Sequence, residues 1–180
     1  MTTHSPIILP WKGVRPVIDE TTFVAPGATV IGDTHIGADS SIWFGCTVRG
    51  DVHEIRIGAR TNVQDGTVIH VSKGKFGTYI GDDVLIGHGC VIHACTLESG
   101  CFIGMGATVL DGAVVESGAM VAAGATVTPG KRVPRGELWA GAPARKFRDI
   151  SPEEAEGFIR QCAHYAELAR DYRAMLPRTP

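Results

Sequence analysis

The chain has 180 residues, with 17 lysines and arginines against 19 aspartates and glutamates and a formal net charge of −2. That length suits one domain, and the balanced charge lacks the basic excess of a nucleic-acid binder, so no nucleic-acid partner is expected. Hydrophobic residues make up 44%, too many for a disordered chain, yet no run approaches the roughly 18 to 20 apolar residues that span a membrane. Glycine is the outlier at 23 residues, against a usual share of about 7%, which suggests tight turns at a fixed spacing.

Residues 1–16 read as an N-terminal extension, with His4 incidental within it. Its first residues hold no basic cluster followed by an apolar run, so the expectation is a cytoplasmic protein. From residue 17 a six-residue period takes over. Val24, Val30, Ile36, Ile42 and Val48 are evenly spaced, as are Ile57, Val63 and Ile69, then Ile80 and Ile86. A last run goes from Leu97 through Ile103, Val109, Val115, Val121 and Val127 to Val133, with Trp139 in the next place. Four residues after most of these aliphatics stands a small or slim residue, among them Ala28, Cys46, Thr67, Cys90, Cys101 and Ala119. Glycine follows the aliphatic at Gly37, Gly58, Gly81, Gly87 and Gly104, where it is expected to supply the backbone freedom of a corner.

A period of six matches neither an amphipathic helix nor a long strand. It matches a short strand and a turn, repeated, as in β-helices. Three units close a triangular coil, and coils stack at the strand spacing of about 4.8 Å. The pattern resembles the left-handed β-helix family, and the handedness comes from that resemblance. The expected fold is therefore mainly β: a single-stranded left-handed parallel β-helix of hexapeptide repeats over residues 17–145, with a C-terminal α-helix.

Three interruptions break the period and mark candidate functional positions. Val48 to Ile57 is nine residues, an insertion of three. Ile69 to Ile80 is eleven, read as one short of two units, and holds the polar run 72–75. Ile86 to Leu97 is also eleven, so one unit there has five residues. Residues 146–180 read as a linker and a helix, packed on the prism or on a neighbouring subunit. Ser151, Pro152 and Glu154 supply an N-cap, a proline in the first turn and a capping box. Apolar residues from Ala155 to Met175 then recur with helical spacing, and Pro177 ends the helix. Arg132, Arg135, Arg145, Lys146 and Arg148 gather near the helix entrance as a solvated corner.

Of five cysteines, Cys46, Cys90 and Cys101 occupy the small-residue place and read as buried thiols. The odd count favours a reducing compartment over a disulfide framework. Among the histidines, His35 reads as an exposed turn residue, while His53 lies in the first insertion. His70, His88 and His93 crowd the two eleven-residue irregularities. His70 and His88 are 18 residues apart, one nominal coil. Three imidazoles with one open position form a common catalytic zinc set. Surface histidines, or one histidine acting as a base, remain the other readings of the same residues.

Around these histidines the chain reads Val48-Arg49-Gly50-Asp51, Asn62-Val63-Gln64-Asp65 and, later, His70, then Gly87-His88-Gly89-Cys90-Val91-Ile92-His93. This combination resembles the γ-class carbonic anhydrase family over nearly the whole chain, including the segment 140–145 and the helix. The resemblance implies a homotrimer with a metal at each subunit interface, His70 and His93 coming from one chain and His88 from its neighbour. It implies zinc, with iron(II) or cobalt as the other ions, and reversible hydration of CO2 to bicarbonate by a metal-bound hydroxide. Arg49 matches a position linked to activity and trimer contacts, and Asp51 its ion-pairing partner. Gln64 matches the residue that hydrogen-bonds the metal-bound water, Asn62 the residue that orients Gln64, and Asp65 an acidic position behind the ligands. Tyr165 aligns with an active-site tyrosine.

Two departures stand against the archaeal prototype. Val52 replaces a glutamate, and the loop 71–77 lacks the acidic proton shuttle; His53, His164 and Tyr165 are left as relays. Members without that shuttle resemble this chain closely, and many hydrate CO2 weakly or not at all. The alternatives are therefore a hexapeptide acyltransferase or CoA thioesterase, or a metal-binding member with little CO2 hydration.

Overall fold

The computed structural model describes residues 5–176; His4 and Pro177 lie outside the described residues. The chain winds as a parallel β-solenoid with three faces, and each short strand pairs with the strands one coil below and above it. The first face stacks Phe23–Val24, Ser41–Ile42, Asn62–Val63, Leu85–Ile86, Phe102–Ile103 and Met120–Val121. The second stacks residues 29–32 and 47–50 under Val68–His70, Val91–His93, Thr108–Val109 and Thr126–Val127. The third runs from Val17–Ile18 up to Arg132–Val133.

The aliphatics of the six-residue period fill the interior. Val30, Ile42, Val48, Val63, Ile69, Ile86, Ile92, Ile103 and Val121 are all fully buried. The slim residues beside them, Ala28, Cys46, Thr67, Cys90, Cys101 and Ala119, are buried too, because the corner leaves room for nothing larger. The buried threonines satisfy their hydroxyls on the next coil: Thr61 Oγ1 donates to the Gly81 carbonyl at 2.7 Å and Thr67 Oγ1 to that of Gly87 at 2.9 Å. Such satisfaction is what permits a polar atom in the core.

The glycines that follow the aliphatics have a different cause from the one expected. They do not carry positive φ; that belongs to another series, including Gly66, Gly89, Gly106 and Gly124. At Gly37, Gly58, Gly87 and Gly104 an added β-carbon would stand 2.4 to 2.8 Å from the backbone of the next coil. Close approach of stacked corners, and not backbone freedom, excludes a side chain there.

The interruptions resolve through the register. Paired residues lie 18 apart at Val24 and Ile42, 21 at Ile42 and Val63, 23 at Val63 and Ile86, and 17 at Ile86 and Ile103. The first insertion is absorbed in one bent strand, Thr47–Ile57, with a bulge opposite Gly32 and Thr34. The stretch from Ile69 to Ile80 is not a shortened pair of units. Ile69 and Ile80 occupy adjacent faces, so it is one unit enlarged by a small hairpin in which Ser72 and Phe76 pair. The five-residue unit runs from Ile92 to Leu97 and turns at Ala94, whose φ of 51° is left-handed. Consequently His70 does not stack on His88: it pairs with His93.

Residues outside the repeat close the two ends. Ile7–Leu9 pairs with residues 29–31, and Arg145–Asp149 folds back antiparallel on Glu137–Ala140. Three of the basic residues there form ion pairs: Arg132 with Glu116, Lys146 with Glu137 and Asp149, and Arg148 with Glu154. Ser151 caps the helix Pro152–Met175 with the expected capping box. The helix then runs back along the first face. Phe158 meets Phe102, the Cys162 thiol donates to the Asp83 carbonyl, Tyr165 and Tyr172 pack on Trp43, and Arg173 reaches the carbonyls of Glu20 and Thr21. Ile159 and Met175, expected on its apolar side, are exposed.

Two expectations test this reading. Gly104→Ala, which meets backbone, should cost about 1–3 kcal/mol through overpacking. Gly106→Asn should cost under about 1 kcal/mol, because its surroundings are open and asparagine tolerates the left-handed region; urea denaturation ranks the two, and the reverse order would contradict the account. At the helix start, hydrogen bonds from Arg148 and from the Ser151 backbone lower the Glu154 carboxyl from 4.5 to about 2. Its contribution is present above pH 4.5 and lost as pH falls toward about 2, so the gap in urea midpoint between wild type and Glu154→Gln should close over that window.

Candidate functional site

The expected site residues other than Tyr165 fall into two groups, one at each edge of the second face. Arg49, Asp51, His70 and His93 stand where that face turns into the third. His88 and Asp65 stand where the first face turns into the second, beside Gln64 and Asn62 on the first face. The strands Val68–His70 and Val91–His93 separate the groups, and their outward Val68 and Val91 are exposed, 41% and 39%.

The first group is tightly built. Stacking of the two strands brings His70 Nδ1 to 3.2 Å from His93 Nε2. The other nitrogen of each ring meets a carboxylate: His70 Nε2 lies 3.0 Å from Asp51 Oδ1, and His93 Nδ1 lies 2.5 Å from Asp111 Oδ1. Arg49 hydrogen-bonds the second oxygen of Asp51. Burial would raise the Asp51 carboxyl, but hydrogen bonds from His70 and Arg49 and the charge of Arg49 outweigh it and hold the group below its ordinary value. Asp51 is therefore an ionised acceptor, and an ionised carboxylate can only accept. A neutral His70 ring then donates from Nε2, and its Nδ1 lone pair faces His93. Below them Thr78 is buried; its hydroxyl donates to the His70 carbonyl at 2.6 Å and accepts from the Ala94 N–H at 3.0 Å, tying the two strands together.

The second group is more open. His88 Nδ1 lies 3.0 Å from Asp65 Oδ2, both about half exposed. Gln64 is 5% exposed and Asn62 1%. Asn62 Nδ2 donates to Ser41 Oγ at 2.8 Å, while its Oδ1 has no partner. Among the described residues no hydrogen bond joins Asn62 to Gln64. Tyr165 belongs to the aromatic cluster under the helix, 5.8 Å from Trp43 and 5.9 Å from His164 between ring centroids.

Within one chain the three histidines do not converge, and among the described residues no three His, Cys, Asp or Glu side chains form a group able to hold a metal. His53 makes its own contact, with Nδ1 accepting from the Glu54 N–H at 2.8 Å. The cysteines offer no nucleophile: all five are free and buried, and burial pushes the thiols of Cys46 up to about 11 and of Cys95 and Cys162 up to about 12, far from the thiolate range. Asp111, which binds His93, escaped the sequence reading. It lies 18 residues after His93, one residue beyond the 17-residue register of the coil that separates them.

Comparison with known proteins bears on this arrangement. The family described as "Bacterial transferase hexapeptide (six repeats)" matches residues 77–109 and 94–129. A "Probable carbonic anhydrase" of Methanocaldococcus jannaschii is 48% identical over 85% of this chain and 96% of its own length. "Gamma carbonic anhydrase 1, mitochondrial" of Arabidopsis thaliana is 49% identical over 88% of this chain; the chain spans 60% of that protein's length. Among solved structures, a "hexapeptide transferase family protein" from Anaplasma phagocytophilum superposes with a TM-score of 0.89 at 46% identity, over 92% of this chain and 98% of the other. No helix among the described residues is long and apolar enough to cross a membrane.

Proposed function

Because the chain belongs to the γ-class carbonic anhydrase-like family of hexapeptide-repeat enzymes, we propose that it catalyses the reversible hydration of CO2 to bicarbonate with a divalent ion shared between subunits of a homotrimer. Zinc is the ion proposed, with iron(II) or cobalt as substitutes. His70 and His93 would hold it from one chain and His88 from the next.

One observation carries this reading: two ring nitrogens face each other at 3.2 Å while the ring edges behind them are anchored on carboxylates. Two nitrogens bound at about 2.0–2.1 Å to a tetrahedral ion stand roughly 3.3 Å apart, so the pair fits such an ion. Carboxylates behind metal-binding imidazoles are the usual means of orienting them. The division of the site supports the assembly. A cyclic trimer brings one surface of each chain against a different surface of its neighbour. Here that would set the edge bearing His88, Asp65 and Gln64 against the edge bearing His70 and His93, and would cover the exposed Val68 and Val91.

A bound divalent ion supplies a nucleophile at neutral pH by lowering the pKa of a coordinated water. The chain's own residues do the rest. Arg49 holds Asp51, and Asp51 holds His70 in one tautomer. Gln64, poorly exposed and beside His88, would orient the attacking water through its side-chain amide. Asp65 would steady His88. The hairpin 72–76 carries Lys73 and Lys75 and no carboxylate, so proton release falls to groups such as His53, His164 or Tyr165, and turnover is expected to be slow. The five free thiols support a reducing compartment, which we take to be the cytoplasm.

Its likeness to solved structures named as transferases favours one second reading, acyl transfer or thioester hydrolysis. One histidine serving as base would leave the His70–His93 pair and its carboxylates without a role. Stopped-flow CO2 hydration on zinc-loaded protein, and on iron-loaded protein without oxygen, separates the two. Hydration above background that His88→Ala abolishes is the expected result. No hydration with metal stoichiometrically bound would overturn the CO2 reading and direct the assay to thioesters.

A further inference from the structure

Asp111 has no counterpart among the residues expected to serve the site, yet its carboxylate directly meets one of the candidate ligands, His93. We propose that Asp111 is the positioning residue for His93, and that the hairpin 72–76 is the clamp that holds Asp111 in place. The proposal rests on the metal reading for its purpose, but the contacts that carry it belong to this chain alone.

Asp111 follows the strand Thr108–Val109, one coil above His93. Its carboxylate takes the Nδ1 side of His93 at 2.5 Å. The Ser72 side chain stands beside the same carboxylate and, with His93, helps hold it below its ordinary value against the effect of burial. The hairpin is closed by the Ser72 N–H donating to the Phe76 carbonyl at 3.0 Å, and the Phe76 ring lies over Gly112, where an added β-carbon would meet its Cζ at 3.3 Å. The enlargement of this coil therefore has a definite contact: it reaches up one coil beyond His93 and grips the residue that His93 binds. Lys73 and Lys75 are exposed on its outer side.

The consequence is chemical. A carboxylate that only accepts requires His93 to carry its proton on Nδ1, which leaves the Nε2 lone pair facing the Nδ1 lone pair of His70. Two lone pairs at that separation repel unless a cation or a shared proton lies between them. Asp111 thus converts a pair of stacked histidines into a pair of ligands, as Asp51 does from the other side. Without Asp111 the His93 ring is free to protonate Nε2 and hydrogen-bond His70, which closes the pair to metal.

The test reads proton position and metal affinity separately. Imidazole 15N spectra of the metal-free protein, above the pH range of histidine titration, should show His93 Nδ1 protonated in wild type. In Asp111→Ala that occupancy should fall, with Asp111→Asn, which keeps an acceptor, closer to wild type. Cobalt titration followed by visible absorption should then show a 10–100-fold loss of affinity in Asp111→Ala, a smaller loss in Ser72→Ala and none in Lys73→Ala, with circular dichroism unchanged throughout. An unprotonated His93 Nδ1 in wild type, or a tautomer indifferent to Asp111→Ala, would overturn the proposal. If the tautomer responds while wild type binds no cobalt, the positioning role stands and the metal reading fails.

Discussion

The structure depends on the stacking of coils at strand spacing around an interior one aliphatic side chain wide per face. Everything else is subordinate to that register. Because each coil must present Val, Ile or Leu inward, the intervening residues are forced to corners or to outward positions, and an outward residue on one coil lies directly above its partner on the coil below. His93 lies on His70 for this reason alone. The two need no mutual attraction to be placed together, since the burial of Ile69 and Ile92 beside them does the work. Hydrophobic burial thereby sets two basic side chains face to face in a geometry that their own chemistry would not choose.

Departures from the period are what turn the prism into a site. The regular coils above Leu97 carry no expected site residue. The enlarged coils bring Asp51 round the bend of the strand Thr47–Ile57 onto His70, and raise the Ser72–Phe76 hairpin against Asp111 and Gly112. Thr78 and the left-handed Ala94 then lock the backbone immediately after the two histidines. Arg49, held half-exposed, neutralises one carboxylate of this cluster, that of Asp51.

Much of this was legible in the residues. The aliphatic period identifies the coils because inward positions admit one kind of side chain, and the capping box at Ser151 marks the helix start. The register across interruptions was not legible, since a gap of eleven between Ile69 and Ile80 fits either two units or one unit with a hairpin. That ambiguity left the 18-residue spacing of His70 and His88 without a fixed register. The glycines after the aliphatics misled in a similar way: their type is visible, but whether a corner needs positive φ or close approach depends on the neighbouring coil. Asn62 and Gln64 follow from resemblance alone, and in the single chain Asn62 turns to Ser41.

The division of the candidate ligands between two edges of one face makes assembly part of the chemistry. A chain with His70 and His93 at one edge and His88 at the other offers every group and completes no site, whereas a closed ring completes one at each interface. The most direct test is subunit mixing. His88→Ala and His93→Ala proteins, each prepared metal-free, are unfolded together, refolded and loaded with cobalt or zinc. A shared site predicts that neither variant alone binds metal tightly, while every mixed trimer regains one complete interface, with metal binding and CO2 hydration returning together. No recovery in trimers verified as mixed, or tight binding by His88→Ala alone, would contradict a site built between chains.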